Sequence, residues 1–144
     1  MRFLFLYCLS WLVFPTSLPA LEIPSRPQGY ISDYAGMISP SKRAALEEKL
    51  RNFENETTNQ LVVAIFPNLE GNALENFSIH LAEQWKVGQR GKDNGVILLI
   101  FKESRQVRIE VGYGLESVLP DSISKLIIEN EMVPRFRETK ALSI

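Results

Sequence analysis

Carboxylates at element boundaries are the one chemical resource this sequence supplies in quantity. Asp33 precedes the first helix and Asp93 the most apolar strand, while Glu116 follows a charged strand and Asp121 opens the last helix. Loops at one edge of a sheet can converge, and several carboxylates gathered there with backbone carbonyls make a hard-cation site for calcium or magnesium. Three of the four also have a purely local use. Asp33 suits an Asx turn, Asp93 a turn with Asn94 and Gly95, and Asp121 a helix N-cap. Glu116 has no such use, and Tyr113 beside it offers a hydroxyl or an aromatic wall. Other chemistries lack their parts. The single His, His80, falls mid-helix between Ile79 and Leu81, and the single Cys, Cys8, lies in the N-terminal apolar run, so neither a Ser-His-Asp arrangement nor a zinc ligand set can be assembled. No Walker loop or dinucleotide fingerprint is present. Gly112-Tyr113-Gly114 lacks the third glycine and the immediate helix that cradle a phosphate, so no dinucleotide partner is expected.

The elements that must position these residues follow from periodicity. Leu21 to Gln28, with Pro24 and Pro27, reads as an extended leader. Ile31 to Ile38 mixes apolar anchors with a turn. Ser39-Pro40 then supplies an N-cap and a first-turn proline for a helix ending near Asn55, with Leu46, Leu50 and Phe53 as its apolar stripe. Gln60–Phe66 is a buried strand closed by Pro67. Asn72 and Glu75 resemble a capping box for a helix whose inner face is Leu74, Phe77, Leu81 and Trp85. Gly95–Phe101 is continuously apolar and predicts a strand covered on both faces. Val107, Ile109 and Val111 alternate with Arg108 and Glu110, the pattern of a hairpin partner. A last helix from Asp121 is expected to turn Ile123, Leu126 and Ile127 inward. After Pro134 too few apolar residues remain to predict another element. The order α-β-α-β-β-α describes an α/β sandwich with a mixed sheet.

The 144 residues carry 16 Lys and Arg against 17 Asp and Glu, and 45% are hydrophobic, which describes one globular domain. The near-neutral balance excludes a polybasic nucleic-acid binder, since the densest basic stretch, Lys86 to Lys92, is interrupted by glycines. Residues 1–20 read as a secretory signal: Arg2, an apolar run from Phe3 to Phe14, and a turn-prone exit ending at Ala20. Uncleaved, this segment would tether the chain to a membrane. Cys8 leaves with it, so an exported chain would rely on its core and not on disulfides.

Four separated blocks carry a family resemblance. They are Ile31-Ser32-Asp33-Tyr34-Ala35-Gly36-Met37-Ile38-Ser39, Gln60-Leu61-Val62-Val63, Trp85-Lys86-Val87-Gly88 through Lys92-Asp93-Asn94-Gly95-Val96-Ile97-Leu98-Leu99, and Arg108-Ile109-Glu110-Val111-Gly112-Tyr113-Gly114-Leu115-Glu116 with Leu119-Pro120-Asp121. In order and spacing they resemble the TPM domain, over residues 30–136, with 137–144 as a tail. The resemblance implies a three-layer α/β/α sandwich whose mixed, mainly parallel sheet carries one antiparallel hairpin strand. It implies export to the periplasm or cell envelope and, for some members, divalent-cation binding and weak acid phosphatase activity. The family's acidic positions fall on Asp33, Asp93, Glu116 and Asp121, with Asn94 beside them. TPM domains usually continue past Pro134 into a further helix, so this chain resembles a C-terminally shortened member. Two functions are expected from the likeness. One is a non-catalytic assembly or repair module with an envelope or membrane-complex partner, bearing an acidic calcium or magnesium site. The alternative is a metal-dependent phosphatase of low specificity.

Overall fold

The computed structural model describes residues 22–141; the expected signal segment, residues 1–20, lies outside them. Four strands form one sheet in the order β1 (Ile31–Asp33), β2 (Gln60–Phe66), β3 (Gly95–Phe101) and β4 (Gln106–Val111). The first three are parallel and β4 runs antiparallel to β3, so the fold is α/β with a mixed, mainly parallel sheet. Helix α1 (Pro40–Thr57) joins β1 to β2, and α2 (Leu74–Trp85) joins β2 to β3.

One face of the sheet holds the core. Register places Val62 beside Ile97, Ala64 beside Leu99 and Phe66 beside Phe101. Phe77, Leu81 and Trp85 of α2 close over them, the stripe its periodicity predicts. Phe66 sits at the centre, stacked on Tyr34 and on Phe101 and edge-on to Phe77, with centroids 5.0–5.7 Å apart. Each such side chain contributes roughly 1.5–3 kcal/mol by leaving water. The leader is part of this packing. Ile23 lies against the core, and the Trp85 indole N–H donates to the Pro24 carbonyl at 2.7 Å. On the opposite face, Leu61, Val63, Val96, Leu98 and Ile100 are only half-buried, as are Val107, Ile109 and Val111 of β4. The expectation that β3 is covered on both faces therefore holds fully on one.

Several expectations change on contact with the structure. Ile31–Asp33 is a strand, paired through Ile31 with Val63, where sequence periodicity indicates only a turn. Of the apolar stripe of α1, only Leu50 lies on its inner face. Leu46 and Phe53 are 38% and 39% exposed, while Arg43, Glu47, Leu50 and Glu54 are half-buried. The cause is hydrogen bonding. The backbone of Ile31 faces away from β2, and Glu47 accepts from the N–H groups of Tyr30 and Ile31 at 3.0 and 2.8 Å, while Arg43 donates to the Ile31 carbonyl at 2.8 Å. Helix α2 starts from Ala73, with the Asn72 amide turned back to the Leu69 carbonyl and not capping.

The last helix is also rotated and longer than expected. In α3 (Asp121–Ile127) the buried residue is Ser124, and Ile123 and Leu126 are exposed. The chain continues through a wide π turn, Ile128–Met132, into α4 (Val133–Ala141). Pro134 does not stop it: it follows directly on the π turn, where the Val133 N–H donates to the Ile128 carbonyl five residues back, and the widened turn accommodates the proline.

Candidate functional site

The five acidic-site positions do not meet at one place. Because β1, β2 and β3 are parallel, Asp33 at the end of β1 and Asp93 before β3 lie at opposite ends of the sheet. Asp33 is in register with Ile65, whereas Gly95 is in register with Gln60. At about 3.3 Å per residue the two levels are roughly 16 Å apart along β2.

Asp33 has a local task. Its carboxylate accepts from the N–H of Ala35 at 3.1 Å and of Ile38 at 2.8 Å, fixing the turn that leads to α1. Burial pushes this carboxyl up, but the N–H groups of Ile38, Met37, Ala35 and Gly36 outweigh burial and hold it below the usual aspartate range. Asn94 is buried and fully engaged. Its Oδ1 accepts from the Gln89 N–H and its Nδ2 donates to the Thr58 carbonyl, tying the turn before β3 to the end of α1. Gln60, which periodicity does not single out, completes this clamp by accepting from the Gly88 N–H at 2.8 Å.

Asp93 and Glu116 are the pair that the fold brings to neighbouring loops. Asp93 adopts a left-handed backbone with φ 47°. Its carbonyl accepts from the Gly114 N–H at 3.0 Å, and the Gly95 carbonyl accepts from the Gly112 N–H at 2.7 Å. The approach is so close that a Cβ on Gly112 would overlap the Asp93 carbonyl oxygen and one on Gly114 the Lys92 carbonyl oxygen. Two loops are thus locked backbone to backbone. Asp93 and Glu116 are exposed on them, and Tyr113, in a short 3-10 turn, is 81% exposed. Asp121 is exposed at the first turn of α3, and its charge reaches Arg108, whose guanidinium is held charged chiefly by its hydrogen bond to Glu110. Among the described residues no three His, Cys, Asp or Glu side chains are placed to hold a metal ion, so the five positions do not close a ligand set. His80 is exposed on α2.

A groove of about 600 Å³ runs between the leader and the helices, lined by Tyr30, Glu47, Arg51, Val62 and Trp85. Its Glu47 is committed to the β1 backbone, and the Tyr30 hydroxyl to Glu54 at 2.7 Å. Among the described residues, no helix is long and apolar enough to cross a membrane.

Comparison with known families places the chain. The TPM-domain family model covers residues 31–141. The chain belongs to the TPM-domain family. This TPM domain is also similar to a solved structure, the solution NMR structure of the N-terminal domain of a protein from P. gingivalis. The two share 34% identity with a TM-score of 0.70, over 76% of this chain and 70% of that one. No curated protein matches it.

Proposed function

We propose that this TPM domain is an exported, non-catalytic interaction module of the cell envelope, whose contact surface is the locked loop pair carrying Asp93, Tyr113 and Glu116. The observation that carries it is the backbone-to-backbone lock of Gly112 and Gly114 on the loop before β3, which holds an exposed ring and two exposed carboxylates on a rigid support. Aromatic residues with little conformational freedom are effective anchors at protein interfaces. Export rests on the signal-like composition of residues 1–20. The partner is a membrane complex or another envelope protein.

The cation component narrows to Asp93 and Glu116, with water completing any coordination, since Asp33 and Asn94 are engaged elsewhere. Calorimetry of the full chain with calcium, and separately magnesium, tests it. Glu116→Gln is expected to weaken binding several-fold, whereas Asp33→Asn leaves affinity unchanged. Equal effects of the two, or no heat from the folded protein, would remove the cation and leave the docking surface alone.

Phosphate-ester hydrolysis is the alternative, favoured by the family designation, which names a phosphatase. It predicts divalent-cation-stimulated release of phosphate from a generic aryl phosphate, lost in Glu116→Gln. An unstimulated, mutation-insensitive background rules for the interaction module.

A further inference from the structure

We propose that the outer edge of β4 is a self-complementary docking strand, and that two copies of this chain pair through it, antiparallel and centred on Ile109, to make one continuous eight-stranded sheet. The direction of the β4 backbone comes from one bond. The Gly112 N–H donates to the Gly95 carbonyl, so by antiparallel alternation the even residues Gln106, Arg108 and Glu110 face β3. The N–H and C=O groups of Val107, Ile109 and Val111 then point outward, and no side chain or loop among the described residues bonds them. An edge of this kind is a template for another strand.

The residues along the edge specify which strand. With Ile109 opposite Ile109 of a second copy, Val107 faces Val111 and all three outward residues on each side find partners, closing six backbone hydrogen bonds. On one sheet face Val107, Ile109 and Val111 meet their counterparts as cross-strand aliphatic pairs. On the other, Arg108 stands opposite Glu110 and Glu110 opposite Arg108. These two already form an ion pair within the strand at 2.6 Å, so the dimer joins two such pairs into a ring of alternating charge. Slipping the register toward Arg108 sets arginine against arginine, and slipping it toward Glu110 sets glutamate against glutamate. Each slip also loses hydrogen bonds. Only the register centred on Ile109 satisfies both backbone and charge, and the result is an isologous two-fold contact. Six residues a side make a small interface, so association is weak and concentration-dependent.

Charge exchange provides the test, independent of whatever lies against the opposite face. Sedimentation equilibrium and native mass spectrometry of the full chain are expected to show a monomer–dimer equilibrium. Arg108→Glu leaves two acids on the edge and Glu110→Arg two bases, so each alone is expected to lose association roughly tenfold. Mixing the two variants restores it, as a heterodimer identifiable by mass, and the double exchange Arg108→Glu with Glu110→Arg restores the homodimer. Circular dichroism of each single variant confirms that it is folded, and recovery on mixing requires it. A wild-type chain that stays monomeric at every concentration, single variants that associate as well as wild type, or a mixture that stays monomeric each overturns the proposal. The first of these assigns the edge to an extended segment of another protein.

Discussion

The two edges of the sheet face the same physical problem and meet it differently. At β1 the outward backbone of Ile31 is fully answered from within the chain, its N–H by Glu47 and its C=O by Arg43. At β4 the outward groups of Val107, Ile109 and Val111 receive nothing from the described residues. The cost of covering β1 is visible in α1, which turns Arg43, Glu47 and Glu54 toward the strand and leaves Leu46 and Phe53 to water. A helix that lends its polar side chains to an edge cannot also seal a core. That task falls to α2, whose buried Phe77, Leu81 and Trp85 cover the same sheet face.

The contrast can be broken most severely at Glu47. Its carboxylate satisfies two backbone donors at once, so Glu47→Ala should destabilise the fold by about 2–4 kcal/mol, read as a lowered midpoint in urea at unchanged slope. Glu47→Gln keeps one acceptor and should recover part of the loss. A change below about 0.5 kcal/mol would mean that water covers the β1 edge as well as Glu47 does, and the distinction between the edges would vanish.

The turn that leads from β1 into α1 gives a smaller effect with a pH signature. The Asp33 carboxyl is held below its usual range, so its contribution is complete above the unfolded-state value near pH 4 and is lost as pH falls through the folded-state value. Asp33→Asn should therefore cost about 1–2 kcal/mol at neutral pH, and the difference from wild type should shrink on acidification. A difference that is flat from neutrality to pH 3 would contradict the assignment.

Smallest is Arg43→Ala. The guanidinium binds the Ile31 carbonyl and, on its exposed side, the Gln28 amide at 3.0 Å, so about 1 kcal/mol is expected. Because Arg43 and Glu47 serve the same strand, their double variant should be less than additive.

What the sequence discloses about this molecule tracks how locally each feature is determined. Strands β2 and β3 and the inner stripe of α2 are legible because apolar runs and a 3.6-residue repeat report burial directly. Strand β1 is not, because three residues that include Ser32 and Asp33 carry no alternation to detect. The inner face of α1 is misread for a related reason: periodicity registers apolar burial and is blind to a strand edge that demands hydrogen-bond partners. In α3 the buried residue is Ser124, which no hydrophobicity pattern would select. The scattered acidic site follows from the missing strand. Once Ile31–Asp33 is known to be parallel to β2, Asp33 ends a strand while Asp93 precedes one, and chain direction alone puts them at opposite ends. The local use of Asp33 as a turn residue is realised, whereas Asp93 forms no turn with Asn94 and Gly95, and its juxtaposition with the loop of Glu116 depends on a tertiary contact between backbones.

That contact has a thermodynamic side. A surface loop usually gives up conformational entropy when a partner orders it, and this loss comes directly off the affinity. Between β4 and α3 the ordering is completed during folding, because Gly112 and Gly114 are already bonded to the loop ahead of β3 and Asn94 anchors that loop from beneath. A molecule that engages Tyr113 and Glu116 would therefore meet a surface with little left to freeze, so that a small contact there could retain most of the free energy it generates.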